Sequence, residues 1–276
     1  MNLIYHKLYV EVLTGDTLPF FAGSMLRGAF GPALKQTVCI NPSYKCQDCF
    51  AANSCLFYQF YEKANHQHDY RFEVELKPRI FAFSLLLFNN AATKLPYILS
   101  ALHHMLTHVG LGPNKKCYES FTIFCNDILI YNGGSYDMGQ IQLQEFTYVP
   151  LEEEFVLRFV TPLRIKSQNE FLKTAPTLTQ LLFSIKNRYE ELSGGSRTKL
   201  GYEPSYHQRF ARTSFLDLAR YSSRQESKLG IGGIMGEIGY SGVDEESRRI
   251  LRLGELIGVG KQTVFGLGKI KIEEHK

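Results

Sequence analysis

Apolar and polar side chains follow strand and helix spacings through the first half of the chain. Residues 3–13 (LIYHKLYVEVL) are apolar at alternate positions, as in a half-buried strand, and Ser24 is placed to cap the next helix. The predicted elements are a strand at 3–13, a helix at 24–37, strands at 71–77 and 80–88 separated by Pro78, a helix at 94–108, and a strand pair at 120–131 turning at Asn126-Asp127. Their order is β-α-β-β-α-β.

The second half repeats this order. The predicted elements are a strand at 155–165, a helix at 176–192 after Pro176, strands at about 210–222 and 230–241, a helix at 245–257, and a final strand in KIKIE. Two β-α-β-β-α-β units predict an α+β protein with two tandem ferredoxin-like domains. The acidic stretch at 146–154 places the boundary between domains 1–148 and 149–276, with a cysteine-rich insertion at 39–70 in the first. Two such sheets would leave a cleft, and open sheets offer a platform for single-stranded RNA.

The composition is that of a soluble globular protein. The 276 residues are 44% hydrophobic and 21% charged, and the longest apolar run, IFAFSLLLF at 80–88, has the length of a strand. The first ten residues lack a signal-peptide pattern, so we expect a cytoplasmic protein without a membrane partner. The net charge is +4, but residues 155–236 hold 13 basic and 6 acidic side chains. This local excess favours a polyanion-binding face, although solvated lysines alone would look similar.

Four of the six cysteines are clustered. Cys39, Cys46, Cys49 and Cys55 follow the spacing C-x6-C-x2-C-x5-C. In a reducing compartment such a cluster ligates metal more often than it forms disulfides, so a structural zinc ion held by these four thiolates is predicted. An iron–sulfur cluster and the absence of any metal remain alternatives. The other two, Cys117 and Cys125, are interpreted as apolar fillers.

A glycine-rich loop, GVGKQTVFGLG at 258–268, precedes the last strand. It is no phosphate loop, because a P-loop would need glycine where Glu255 stands and a dinucleotide fingerprint would need it where Thr263 stands. A helix enters and a strand leaves, the reverse of both motifs, so no nucleotide cofactor is predicted. The glycines then indicate either a helix C-cap followed by a bulged strand, or a backbone surface pressed against an extended polymer, with Lys261 and Lys269 beside it.

Several stretches together resemble one family. They are LPFFAGSMLRGAFGPAL at 18–34 followed by the cysteine loop, TPLRIK at 161–166, RYSSRQESKLGIGGIMGEIGYSG at 220–242, and GELIGVGKQTVFGLGKI at 254–270. They resemble, in order along both halves, the CRISPR repeat-RNA processing endoribonucleases of the RAMP superfamily. The resemblance implies repeat RNA as substrate and other CRISPR effector subunits as possible partners. It also implies cleavage without a metal, in which the ribose 2′-OH attacks the adjacent phosphorus and leaves a 2′,3′-cyclic phosphate and a 5′-hydroxyl.

The resemblance further implies where the catalytic residues lie, on or after the first helix of the N-terminal domain. Cleavage needs a base, an acid and a cation, which histidine, tyrosine and lysine can supply. His66 and His68, in a polar loop, are the favoured pair, and Lys35 and Tyr44 are the next candidates in this region, with His207 as a second-domain alternative. Exposed histidines often have no role, and one of these could instead bind the metal.

RNA-binding candidates come from three places in the chain. By resemblance, the loop glycines Gly258, Gly260, Gly266 and Gly268 meet the RNA backbone between the domains, and Lys261 supplies charge. Arginine grips phosphate and tyrosine stacks on bases, which favours a basic hairpin. The hairpin candidates are Arg220, Tyr221, Ser222, Arg224, Gln225 and Lys228, and Arg27, Arg164 and Lys166 are added from elsewhere. The alternative for the hairpin is an ordinary solvated turn.

Two other functions fit parts of the sequence. A non-catalytic RNA-binding RAMP subunit of a CRISPR effector complex would have the same folds and differ only in lacking cleavage. A zinc-dependent nucleotide deaminase is discounted, because the His-x-Glu that should accompany its cysteine motif is missing.

Overall fold

The computed structural model describes residues 2–64, 67–222 and 227–274, with only the backbone of 220–222 and 227–228. The chain divides into two compact units, Met1–Phe146 and Thr147–Lys276. Among the described residues, no helix combines the length and apolar character needed to cross a membrane.

The first unit is built around one antiparallel sheet with helices on it. Its elements are β1 Ile4–Val12, α1 Gly23–Val38, β2 Tyr70–Glu73, β3 Ala82–Phe88, α2 Asn89–Ala92, α3 Leu95–His104, β4 Phe121–Cys125, β5 Ile128–Asn132 and β6 Gln144–Glu145, with π-helical turns at Tyr58–Glu62 and Met105–Val109. The strands lie in the order β2-β3-β1-β4-β5, and β6 pairs with the start of β1. The first four of these have the order of a ferredoxin-like sheet.

The second unit repeats the arrangement. Its elements are β7 Glu154–Leu163, β8 Lys166–Ser167, β9 Glu170–Phe171, α4 Leu178–Leu192, β10 His207–Leu216, β11 Ala219–Ser222, β12 Ser227–Gly230, β13 Gly233–Ser241, α5 Glu245–Ile257 and β14 Ile270–Glu274, with a 3-10 turn at Thr263–Phe265. The main sheet has the order β10-β13-β7-β14, which matches that of the first unit. The predicted fold of two tandem ferredoxin-like units is therefore confirmed.

The alternation read from the sequence sets which face of each strand is buried. Leu8, Val10 and Val12 are buried in the core of the first unit, whereas Tyr9 and Glu11 between them are only half-buried. On α5 the apolar positions recur with helical spacing, and Ile250, Leu253 and Ile257 are fully or almost fully buried against the sheet. Burial of the apolar face of each strand and helix fixes the register of the strands and the orientation of the helices.

Several local expectations were wrong or incomplete. Helix α1 begins at Gly23 after Ala22, so Ser24 lies inside the helix and does not cap it. Helix α4 is capped by Thr177 in a capping box with Gln180. The single strand expected at 210–222 is divided, because the chain leaves the main sheet after Leu216 and enters a separate β11–β12 hairpin.

Candidate active site and nucleic-acid surface

The C-terminal end of α1 presents a lysine between two aromatic rings. The Lys35 ammonium lies 4.7 Å from the centroid of the Tyr44 ring and 5.0 Å from that of Phe57. Phe57 is buried, whereas Tyr44 is 45% exposed. Attraction to the two ring faces restrains a side chain that would otherwise sample many rotamers. The site therefore holds a fixed positive charge beside an accessible phenol.

The loop after α1 positions Tyr44. The side chain of Asn41 accepts from the backbone N–H of Ser43 at 3.0 Å and donates to the carbonyl of Lys45 at 2.9 Å. This turn carries Tyr44 at φ +57°, in the left-handed region that non-glycine residues seldom occupy. Burial raises the pKa of Tyr44 above its usual value, with Lys35 acting in the opposite direction. The phenol therefore stays protonated at neutral pH and can donate a hydrogen bond or a proton.

An aromatic cluster, defined here as Phe57, Tyr61 and Tyr70, extends from this lysine across the base of α1. Phe57 stacks on Tyr61 with centroids 5.3 Å apart, and Tyr61 lies 6.5 Å from Tyr70. Arg27 is part of its structure: the guanidinium lies 4.5 Å from the centroid of Tyr61, and Nε donates to the Tyr70 hydroxyl at 3.0 Å. These contacts bind α1 to the segment 57–70 and give Arg27 a packing role within the first unit.

His68 lies at the far end of the aromatic cluster. Its ring is 5.8 Å from that of Tyr70, and its Nδ1 is 3.2 Å from the carbonyl oxygen of Gln59. A carbonyl only accepts hydrogen bonds, so Nδ1 carries the hydrogen and Nε2 carries the lone pair of the neutral ring. That tautomer suits a general base. The other favoured histidine, His66, lies outside the described residues.

The four clustered cysteines surround one small cavity but do not converge on a point. Cys39, Cys46, Cys49 and Cys55 all line a cavity of about 20 Å³, and none of them forms a disulfide. In the described parts of the chain, no three histidine, cysteine, aspartate or glutamate side chains are close enough to hold a metal ion together. The predicted zinc site is therefore not supported. Backbone turns and the Asn41 side chain order this segment, for which the sequence predicted a structural zinc ion.

The glycine-rich loop of the second unit is fastened to the end of β7. Lys261 donates its backbone N–H to the carbonyl of Arg164 at 2.8 Å, and Gly268 donates to that of Pro162 at 3.0 Å. The hydroxyl of Thr161 donates to the carbonyl of Gly266 at 2.8 Å. Val259 and Leu267, the apolar residues within the two Gly-x-Gly doublets, are fully buried. The loop is thus a rigid part of the second unit's core.

Close packing within the chain explains the glycines. Gly258, Gly260, Gly266 and Gly268 all have positive φ, and Gly258 ends α5 as the C-cap. A Cβ at Gly260 would collide with the carbonyl of Arg164, and one at Gly268 with the carbonyl of Val259. The backbone that approaches these glycines therefore belongs to the same unit, as in the helix-cap interpretation.

Positive charges gather beside this loop. We define the basic cluster as Lys166, Arg188, Arg197 and Lys261. Burial lowers the pKa of Lys261, and the other three charges of the cluster lower it further, opposed by Glu191. Arg197 is held by Glu191 at 2.6 Å and remains 54% exposed. Around Lys261, the charges of Arg197, Lys166 and Arg188 are opposed by that of Glu191, and this local excess gives a positive potential that suits phosphate.

The sequence interpretation included Lys166 and Lys261 but missed the two arginines. Arg188 and Glu191 lie on the face of α4 that runs along the loop, where Ser184 accepts from the backbone N–H of Gly260 at 2.9 Å. Arg188 is buried and donates from Nε to the carbonyl of Ile257 at 2.7 Å. It therefore adds to the positive potential of the cluster, whereas phosphate contacts would come from its more exposed members. The helical spacing of 184, 188 and 191 was the available signal.

The other candidates of the second unit occupy different surroundings. Arg164 is buried, donates to the carbonyl of Gly232, and lies 4.0 Å from the centroid of Phe171, so it acts within the core. The backbones of Arg220 and Tyr221 pair with those of Leu229 and Lys228 in the β11–β12 hairpin. Arg224 and Gln225 lie outside the described residues. His207 is exposed at the start of β10 and pairs with Ser241.

Models of two known protein families match the two halves of the chain. Residues 157–270 match the family model of the CRISPR-associated endoribonuclease Cas6, and residues 1–142, half of the chain, match the AF_1859_N N-terminal domain family. An uncharacterized protein of Archaeoglobus fulgidus is 23% identical over 291 aligned positions, covering 92% of each chain.

Solved structures share the fold at low sequence identity. A Cas6 product complex is 15% identical, with a TM-score of 0.58 over 96% of this chain and 98% of that one. Thermus thermophilus Cas6 is 14% identical, with a TM-score of 0.54 over 98% of both chains. A Cas6 complex with a substrate mimic is 16% identical, with a TM-score of 0.52 over 98% and 99%. The chain belongs to the family defined by the AF_1859_N N-terminal domain, and residues 157–270 match the model of the CRISPR-associated endoribonuclease Cas6. Together with the shared fold, these matches indicate a CRISPR-associated protein of the RAMP type.

Proposed function

We propose that this protein matures CRISPR RNA by cutting precursor transcripts within the repeat, without a metal ion. The match of residues 157–270 to the Cas6 family model supports the assignment to the endoribonucleases. Solved proteins of the same fold include Cas6 complexes with a product and with a substrate mimic. The observation that carries the chemistry is the Lys35 ammonium held over the ring of the exposed Tyr44 at the end of α1.

The reaction proposed is an internal transfer of the phosphoryl group. A base removes the proton of the ribose 2′-OH, the 2′-oxygen bonds to phosphorus, and the bond from phosphorus to the 5′-oxygen breaks. The 5′-oxygen takes a proton, so the products are a 2′,3′-cyclic phosphate and a 5′-hydroxyl. The charge that develops on the phosphorane oxygens needs a nearby cation that is already in place.

Each of these tasks has a candidate in the first unit. Lys35 stabilises the phosphorane, because its charge is held in place by two rings. Tyr44 orients the phosphate or protonates the leaving oxygen, since its raised pKa keeps the hydroxyl proton at neutral pH. His68 accepts the 2′-OH proton at Nε2, or shares the proton transfers with His66. The basic cluster of the second unit binds backbone phosphates outside the scissile position.

Incubating the protein with end-labelled repeat RNA in EDTA tests this function. We expect one discrete cut with a cyclic-phosphate end. As a matched substrate, the same RNA with a 2′-deoxyribose at the cleaved nucleotide should bind with similar affinity and remain intact, because it lacks the nucleophile. Cleavage of the deoxy substrate would contradict 2′-OH attack. Tight binding of the all-ribose RNA without any cut would identify a non-catalytic RNA-binding subunit instead.

A further inference from the structure

Helix α3 and the segment 136–138 line an open cavity that the proposed cleavage does not use. Its volume is about 490 Å³, within the range of small-molecule pockets. Pro96, Leu99 and Met138 form its apolar lining. Ser100, His103, His104 and Tyr136 supply its polar groups. The whole cavity belongs to the first unit.

The polar groups of this cavity are uncharged. No lysine, arginine, aspartate or glutamate is among its lining residues. Burial lowers the pKa of His103, and the neighbouring His108 and His104 lower it further. Burial and His108 likewise lower the pKa of His104. Nε2 of His104 is bonded to Gln36 and Nδ1 of His103 faces the Tyr136 hydroxyl, so a ligand would use the other ring nitrogens and the hydroxyl of Ser100. Neutral imidazole nitrogens and a hydroxyl suit an uncharged ligand with hydrogen-bonding edges better than phosphate or carboxylate.

Aromatic packing holds this lining in place. The His103 ring meets Phe121 and Tyr131 edge-on, with centroids 5.5 and 5.4 Å away. Tyr136 packs on Tyr131 at 4.8 Å, and its hydroxyl is 3.5 Å from Nδ1 of His103. A ligand would therefore meet a preformed wall of flat rings, at a low cost in side-chain entropy.

The cavity lies beside the end of α1 that carries Lys35. Nε2 of His104 is 2.5 Å from Oε1 of Gln36, the residue that directly follows Lys35. Both features belong to the same unit, so this adjacency does not depend on how the two units are arranged.

We propose that this cavity is a nucleobase-binding pocket that holds one base of the RNA near the cleavage position, with the sugar and phosphate outside. A base is a planar, uncharged heterocycle with donors and acceptors on its edges, which matches the flat walls and neutral polar groups. The proposal rests on the proposed function, because the RNA supplies the base. A free nucleoside presents the same chemistry, and the experiment separates the two sources.

A series of repeat RNAs, each with one abasic site at a different nucleotide, identifies the base that binds in the pocket. With the wild-type chain, one position near the cut should bind roughly 5- to 150-fold more weakly, the effect of losing one stacked base. Ser100→Trp fills the cavity from an exposed lining position, so the fold should tolerate it. It should weaken binding of the intact RNA by a similar factor and abolish discrimination at that one abasic position. Tyr97→Ala, an exposed aromatic on the same helix outside the cavity, is the matched control and should behave as wild type.

The outcomes separate this proposal from the proposed function. If intact RNA is cut but Ser100→Trp changes neither affinity nor abasic discrimination, the pocket assignment is wrong and the cleavage assignment stands. If the RNA is not cut but discrimination at one position is lost in Ser100→Trp, cleavage fails and the base pocket stands. Equilibrium dialysis with the four ribonucleosides provides the other arm. Saturable binding that Ser100→Trp abolishes, without any RNA effect, would replace the RNA base with a free nucleoside and overturn the proposal.

Discussion

The Lys35 ammonium lies 4.7 Å from the centroid of the Tyr44 ring, and the two residues come from different local structures. Lys35 lies in the last turn of a regular helix, whereas Tyr44 has a left-handed backbone conformation in the loop that follows. Their contact is maintained by the helix end, by the Asn41 turn, and by Phe57 on the other side of the ammonium. This geometry leads to the first prediction.

Replacing Lys35 by Ala should lower the single-turnover rate of repeat-RNA cleavage by roughly 10²- to 10³-fold, because the developing charge loses a fixed cation. Tyr44→Phe keeps the ring beneath the ammonium and removes only the hydroxyl, so it separates positioning from proton donation. Lys63→Ala, an exposed lysine of the same unit, is the control and should cleave normally. A wild-type rate in Lys35→Ala would remove this lysine from the mechanism.

Histidine catalysis is tested with three single variants. We expect His68→Ala to lose roughly 10²- to 10⁴-fold in single-turnover rate with RNA affinity little changed. Loss only in His66→Ala or His207→Ala would move the role to that residue. Full activity in all three would refute catalysis by these histidines.

Lys261 is expected to contact an RNA phosphate. Lys261→Ala should reduce the slope of log affinity against log salt by about 0.7 for single-stranded RNA, whereas Lys271→Ala, an exposed lysine paired with Glu273, should not. The lowered pKa of Lys261 adds a dependence on pH. Only the protonated amine attracts phosphate, so affinity should fall as pH rises through that pKa, at a lower pH than for an ordinary lysine. Lys261→Arg should keep the salt slope and lose this pH dependence; an unchanged slope in Lys261→Ala would contradict the contact.

Arg27 should act on stability and not on RNA. Arg27→Ala removes the donor to the buried Tyr70 hydroxyl and the cation over Tyr61, which should lower the free energy of unfolding by about 1–3 kcal/mol. The exposed Arg79→Ala is the matched change in the same unit. Denaturant titration measures the free energy of unfolding, and the salt dependence of RNA affinity measures any phosphate contact. A weaker RNA complex at unchanged stability would return Arg27 to the RNA-binding residues.

The glycine-rich loop should be sensitive to a single methyl group. Gly268→Ala places a Cβ against the carbonyl of Val259 at a positive φ, and the backbone strain should cost roughly 1–3 kcal/mol before the collision is added. Gly201→Ala is the control, because a Cβ there meets nothing within 4 Å. Thermal unfolding compares the two. Equal melting temperatures would show that the loop can separate Gly268 from Val259 without cost.

The sequence by itself determined the order of strands and helices and the buried face of most of them. Alternation at 3–13 and the apolar stripe of α5 depend on periods of two and 3.6 residues, which the local backbone geometry sets. It also excluded two phosphate-binding motifs from the glycine-rich loop, because the spacing fits neither the P-loop nor the dinucleotide fingerprint. The family resemblance rested on motifs that keep their order along the chain.

Tertiary structure decided which side chains meet. The four cysteines have a metal-like spacing, yet turns ordered by Asn41 leave them around a cavity without a common ligand position. The sequence also carried no sign that Arg27 contacts Tyr61 and Tyr70, which are distant from it along the chain. Arg188 and Arg197 likewise come near Lys261 only because α4 lies along the glycine-rich loop. Side-chain contacts between segments far apart depend on how the elements pack, and a periodic pattern carries no information about that packing.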